Sequence, residues 1–426
     1  MTSTKFKIRT HVVPGQHIRY FDRGNRGRDE DAQRLEAKQY IPLNNPDPRD
    51  GDVTIIGACA TSFPKEVYEP LWEELIMQCE SSDLRIRSIW IADRNDHAAS
   101  AALNGDVLGD DHSPFDHARD LLHMVNVYRE EFTLPIIGFG HSMGGTSLLE
   151  LARLHPRLFA SLILVEPITG PGVFKIGVPL IYGAAQRPDV WPSREDAARF
   201  LKQSAGMKRW HPAALQAYLD HGLRDTPTAL YPEPGKVTLS TSKANESFAY
   251  ARPCFERAAV LEGADAKERG FARYPDWDWD LNLSDGHPFY RSEAMRVWRD
   301  LPLLRPSVLY VVPQYGPFGL DPRQLEALVG QTGTGNGGSG GRETGRVKQA
   351  FLKGRTHLVP VEAPEDCARA MVSYLVPELR ALARRRRMAK EDGEGKRMGE
   401  VALSEEWKRQ TKIWLDNHGP KRKAKI

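Results

Sequence analysis

Leu134-Pro-Ile-Ile-Gly-Phe-Gly-His-Ser-Met-Gly-Gly145 is an apolar run of strand length ending in Gly140-His141-Ser142-Met143-Gly144, and the residues behind it repeat at helical spacing through Leu148, Leu149, Ala152 and Leu154. The stretch therefore reads as strand, sharp turn and helix, with a serine at the apex. The pattern G-x-S-x-G needs its glycines because a side chain two before or two after the serine would collide with the neighbouring strand or helix. Such a turn lifts the Ser142 hydroxyl off the sheet and makes it a candidate nucleophile. It also turns the backbone N–H of Met143, in the first helical turn, toward a developing oxyanion.

Outward from that turn the chain alternates strands and helices. Upstream, the β-branched run Asp52–Gly57 has the composition of a buried parallel strand; a helix starting near Glu69 carries Leu71, Trp72, Leu75 and Ile76 on one side. Leu84–Ala92 reads as a further strand and Phe115–Glu130 as a helix with Leu121, Leu122, Val125 and Tyr128 in period. Lys5–Val13 and Lys38–Pro42 read as strands, the first at an edge. Downstream, Phe159–Val165 closes on Glu166-Pro167, Pro306–Val312 and Arg346–Leu352 return the same pattern, and Pro364–Leu382 reads as a closing helix. Strands alternating with helices predict an α/β chain with a mostly parallel central sheet covered on both faces.

The pattern lapses over 170–304, where helical pieces open at Ser193-Arg-Glu-Asp196 and at His211-Pro212. This segment is expected to be a mainly helical lid, splitting the core into 1–169 and 305–383 and leaving 384–426 as a basic tail. Trp191, Trp210, Trp277, Trp279 and Trp298 fall within it and are candidates to wall an apolar pocket. The glycine-rich loop 330–341 contains Gly333-Thr-Gly-Asn-Gly-Gly338, a match to G-x-G-x-x-G. With no strand before it and no helix after it, the dinucleotide reading fails on context.

Composition narrows the function classes. The 426 residues carry 59 Lys plus Arg against 56 Asp plus Glu, a formal balance of +3, and 40% are hydrophobic. No strongly charged partner is implied for the whole chain. Nucleic acid is not expected either, because no stacking aromatics interleave with Arg384–Arg387. Cys59, Cys79, Cys254 and Cys367 lie far apart, which argues against a C-x-x-C metal site and for reduced thiols. No apolar stretch reaches the ~20 residues of a membrane span, and the reading calls for no cofactor and no metal.

A serine hydroxyl needs a base that titrates near neutrality. Of 13 histidines, His357 follows the last strand, at the sheet edge where the serine turn also emerges. Two acids compete to orient it. Glu166 directly follows the strand after the nucleophile helix and is preferred. Asp321 follows the next strand but precedes Pro322, the arrangement of a helix cap. A second oxyanion donor is expected in the loop after Val53–Gly57, from the N–H of Phe63.

The segments Gly51–Ala58, Phe63–Trp72, Arg85–Asp93, Phe115–His123, Gly140–Gly145, Arg305–Tyr310 and Thr356–Pro360 together resemble the fungal peroxisomal α/β-hydrolases. That group includes toxin-biosynthesis hydrolases of plant pathogens and is related to a yeast peroxisomal lipase. The resemblance implies the α/β-hydrolase fold and a serine hydrolase acting on apolar acyl esters or thioesters, in lipid or secondary metabolism. It also implies the peroxisomal matrix, with the cytoplasm as alternative. The basic-aliphatic tripeptide Ala424-Lys425-Ile426 then reads as an address for the peroxisomal import receptor. One departure stands: where such proteins tend to carry His-Ala-Asn-Gly, this chain has Cys59-Ala-Thr-Ser62. That loop sustains an alternative, a non-catalytic small-molecule binding protein on the same fold.

Overall fold

The computed structural model describes residues 5–172, 177–254, 289–316, 320–393 and 403–419, with the single positions 268, 272, 275 and 278. It divides into two compact units, 1–376 and 377–426. The first is built on an eight-stranded sheet. Its strands are β1 (Phe6–Pro14), β2 (Arg34–Pro42), β3 (Val53–Ala58), β4 (Ile86–Ala92), β5 (Ile136–His141), β6 (Ser161–Val165), β7 (Ser307–Tyr315) and β8 (Val347–Thr356), in the spatial order β1-β2-β4-β3-β5-β6-β7-β8. From β4 across to β8 all pairings are parallel; β1 and β2 are antiparallel to their neighbours. The α/β architecture expected from the alternating pattern is the one found.

Burial follows strand position. Every residue of β3, β5 and β6 is buried, whereas β8, at the edge, exposes much of its length. Period two then sorts side chains between the faces. Leu162 and Leu164 of β6 join a core with Leu121, Leu148 and Leu151 of the helices Pro114–Val127 and Met143–Leu154. Ser161 points to the other face, where its hydroxyl meets Tyr374 at 2.9 Å. On that face Phe139 of β5 packs edge-on against Trp72 of helix Glu69–Cys79, with ring centroids 5.1 Å apart.

Residues 170–304 contribute the helices Gly177–Gln186, Arg194–Gln203, Pro212–His221, Lys243–Tyr250 and Glu293–Asp300. Ser193 caps the second of these, its hydroxyl accepting from the Asp196 N–H at 3.1 Å. A small antiparallel sheet, Val190–Trp191, Val237–Leu239 and Leu223–Asp225, is present as well; strands of two or three residues are too short to show a period. None of the three described tryptophans lines the cavity beside Ser142, although Trp298 lines another with Met295 and Arg299. Trp191 packs on Phe200, Trp210 on Phe63 and Tyr218, and Trp298 against the central core, while Trp277 and Trp279 lie outside the described residues.

The helix that opens at Pro364, in the first unit, runs on to Gly393, past the expected end at Leu382; in the second unit, Glu405–His418 forms a helix exposing Trp407 and Trp414. Among the described residues no helix is long and apolar enough to cross a membrane. Ala424-Lys425-Ile426 lies outside the described residues.

Candidate active site

Parallel strands end at one edge, and their register decides which loops meet there. His141 at the end of β5 pairs with Val165 at the end of β6, and Val165 pairs with Val311 of β7. Ser142 and Glu166 therefore leave the sheet side by side. His357 leaves the same edge directly after β8.

Ser142 has φ 57° and ψ −122°, a region that residues with side chains avoid. Its neighbours hold it there. The Ser142 N–H donates to the Val165 carbonyl at 3.0 Å, and its own carbonyl accepts from the N–H groups of Gly145 at 2.9 Å and Ile168 at 3.2 Å. The glycines are required as the sequence pattern predicts. A Cβ on Gly140 would stand 2.7 Å from the Gly145 Cα, and one on Gly144 would overlap the Ala58 carbonyl. Gly144→Ala is accordingly expected to cost roughly 1–3 kcal/mol of stability, as other overpacking substitutions do. Urea unfolding measures this, and an unchanged midpoint would mean that β3 and the elbow can separate at little cost.

Glu166 is a second residue at positive φ, 39°, with its N–H donating to the Val311 carbonyl at 3.2 Å. Its Oε2 lies 2.6 Å from Nδ1 of His357. Gly316 makes room for the carboxyl group, because a Cβ at that position would overlap Glu166 Oε1. Asp321, the other acid considered, is committed elsewhere. Its carboxylate accepts from the N–H groups of Arg323 at 2.8 Å and Gln324 at 2.9 Å, capping helix Pro322–Gln331, and the Gln324 side chain returns a bond to the Asp321 N–H. Of the two acids, the structure brings Glu166 to the histidine.

Burial dominates the electrostatics of the pair. It pushes the Glu166 carboxyl up to about 8 and the His357 imidazole down to about 3. His357 is thus neutral at physiological pH, the form that can accept a proton. Cys59, a neighbouring thiol, is held well above its ordinary value by burial and is no competing nucleophile.

Met143 occupies the first position of helix Met143–Leu154, where an N–H has no intrahelical acceptor. The Phe63 N–H faces the Ala60 carbonyl at 3.3 Å, closing a turn in which Ser62 takes φ 69°. Ser62 thus adopts the left-handed conformation that a glycine would take more readily. The Ala60 N–H donates to the Tyr68 hydroxyl at 2.9 Å.

That hydroxyl belongs to a buried chain that sequence reasoning missed. Burial keeps His141 neutral, and its Nε2 lies 2.8 Å from the His357 carbonyl, which can only accept. Nε2 therefore carries the proton, and Nδ1 accepts from the Tyr68 hydroxyl at 2.9 Å. The chain ties the loop after β3, the residue before Ser142 and the backbone of His357 together. The signal available in the sequence is a tyrosine on an otherwise apolar helical face, since a buried phenol needs a partner. Glu362 was missed too. It accepts from the Thr356 N–H at 2.6 Å and the Thr356 hydroxyl at 2.8 Å, fixing the turn that carries His357.

Ser142 and His357 share a cavity of about 500 Å³ with Thr61, Phe63, Leu180 and Tyr250. Its wall is largely apolar. Among the described residues no group of three His, Cys, Asp or Glu could hold a metal ion.

No protein-family model matches the chain. The chain is 36% identical, over 428 residues, to the type I acyl-CoA thioesterase mpaH′ of Penicillium brevicompactum, covering 96% of this chain and 95% of that protein. It is 35% identical over 431 residues to the type I acyl-CoA thioesterase mpaH of Penicillium roqueforti, with the same coverage. A lesser similarity, 25% over 244 residues, links 57% of the chain to 83% of the abhydrolase domain-containing protein AFT2-1 of Alternaria alternata. Among solved structures, the peroxisomal alpha-beta-hydrolase Lpx1 of Saccharomyces cerevisiae superimposes with a TM-score of 0.66 at 16% identity, over 97% of this chain and 98% of that one.

Proposed function

We propose that this chain, which belongs to the fungal α/β-hydrolase family that includes the type I acyl-CoA thioesterases of Penicillium, is a serine hydrolase of apolar acyl-CoA thioesters in secondary metabolism. The observation that carries the reading is the 2.6 Å contact from Glu166 to His357 in a cavity shared with a Ser142 held at a strained φ. Glu166 holds the Nδ1–H of His357, so that Nε2 accepts the Ser142 proton as the oxygen attacks the acyl carbonyl. The N–H of Met143 and that of Thr61, which lines the cavity, hold the oxyanion, in place of the Phe63 N–H that closes the turn on Ala60. His357 returns the proton to the departing thiolate, leaving an acyl-enzyme. Water, deprotonated by the same imidazole, then releases the acid and restores Ser142.

Residues 170–304 act in this reading as the lid. Leu180 and Tyr250 from that segment line the cavity, which supports an apolar acyl group as the part enclosed. The proposed setting is the peroxisomal matrix.

The test is a fluorophosphonate probe on the purified chain, with the labelled peptide mapped by mass. Label on Ser142, together with hydrolysis of medium-chain acyl thioesters, is the expected result. A folded protein that takes no label and turns over no thioester would reject the catalytic reading and favour ligand retention on the same fold.

A further inference from the structure

A second cavity, of about 600 Å³, opens beside helix Lys243–Tyr250. Three arginines line it, Arg23, Arg26 and Arg224, against one carboxylate, Asp110, which is already paired with Arg23 at 2.9 Å. Among the described residues, two buried polar atoms at its wall have no hydrogen-bond partner. One is Nε of Arg224; the other is the hydroxyl of Ser240, a residue only 6% exposed. Burial also pulls the Arg224 guanidinium below its ordinary value. A buried hydroxyl and a half-buried guanidinium left unsatisfied cost stability unless something binds them. Ser242 and Asn245 bring the N-terminal turn of the helix to the same wall, adding the positive end of its dipole. Guanidinium, hydroxyl and helix N-terminus together form a phosphate-binding set.

The remaining lining extends the reading beyond bare phosphate. Phe248 and Leu230 offer apolar surface next to the cations, which suits a nucleobase. The position suits one end of a long substrate. Tyr250, at the far end of the same eight-residue helix, lines the Ser142 cavity, so the two cavities lie along one helix about 10 Å long. A pantetheine arm spans that distance.

We propose that this cavity binds the phosphorylated nucleotide end of a coenzyme A thioester whose acyl group lies at Ser142, an inference that rests on the thioesterase reading above. The experiment compares an acyl-CoA with the N-acetylcysteamine thioester of the same acyl group, which lacks nucleotide and phosphates. Arg224→Ala is expected to raise KM for the acyl-CoA by about tenfold or more, the effect of one lost charge-assisted contact. Its kcat, and its kcat/KM for the truncated thioester, stay at the wild-type level. Arg26→Ala, at an exposed position, is expected to act in the same direction and covers the case in which the first variant does not fold. Calorimetric titration with 3′,5′-ADP and with inorganic phosphate completes the test: wild type binds the nucleotide more tightly than phosphate, and Arg224→Ala weakens both. If neither thioester is turned over but nucleotide binding still depends on Arg224, the thioesterase reading fails while the phosphate site stands. Phosphate binding with unchanged KM values in both variants would overturn the assignment to the substrate. So would equal losses for the two thioesters.

Discussion

Ser142→Ala is expected to reduce kcat for acyl thioester hydrolysis by a factor on the order of 10⁴–10⁶, leaving only what binding and the oxyanion site contribute. The size follows from the role. The seryl oxygen is the atom that forms the acyl-enzyme, and a methyl group offers no substitute. Structural damage does not confound the result, because the backbone at 142 is held by Val165, Gly145 and Ile168 through main-chain bonds that alanine keeps. Alanine does inherit the φ of 57°, where a Cβ is already tolerated. Melting temperature should therefore stay near wild type while turnover vanishes, and a CoA product analogue should bind as before. Stopped-flow detection of free thiol provides the rate. Retention of even a tenth of the activity in this variant would show that the hydroxyl is not the nucleophile and that water attacks directly.

Much of this architecture is legible because the relevant periods are strong. The strand-turn-helix at 134–154 announces itself through tight glycines, and the structure bears out their reason in the overlaps at Gly140 and Gly144. The fully buried runs of β3, β5 and β6 are apolar without alternation, as central parallel strands are. Other features leave little trace. Choosing between Glu166 and Asp321 requires knowing how far each stands from a strand end, and a loop length does not give the direction in which a carboxylate points. The cap at Asp321 is a local signal, Asp-Pro followed by Gln324, and it was readable as such. The extension of the closing helix to Gly393 has no apolar period to mark it, yet Ala, Arg, Met and Lys are good helix formers. The Tyr68–His141–His357 chain is the least legible of all, since it joins residues 73 and 216 positions apart.

Glu166→Gln is the second large effect, and its pH dependence separates electrostatics from packing. With the His357 imidazole down to about 3, loss of activity on acidification is not set by forming an imidazolium. It is set by Glu166, whose carboxyl takes up its proton near 8. A protonated Glu166 donates to Nδ1 and forces the imidazole proton onto Nε2, the nitrogen that must accept from Ser142. Wild-type kcat/KM should then rise about tenfold per pH unit through neutrality and level off past roughly pH 8. Glutamine fixes the unproductive tautomer at every pH, so the variant should lose about 10⁴ in kcat, as loss of the orienting acid does in serine proteases, and its profile should no longer bend near 8. Stability moves the other way. A carboxyl whose folded value is raised above its ordinary 4.5 favours the folded state below 4.5 and loses that contribution as pH rises through about 8. Glu166→Gln should consequently melt above wild type at pH 9 and close to it at pH 4. A wild-type profile that levels off below pH 6, with no thermal gain in the variant at pH 9, would mean that the carboxylate is already ionised at neutrality and that burial does not govern the pair.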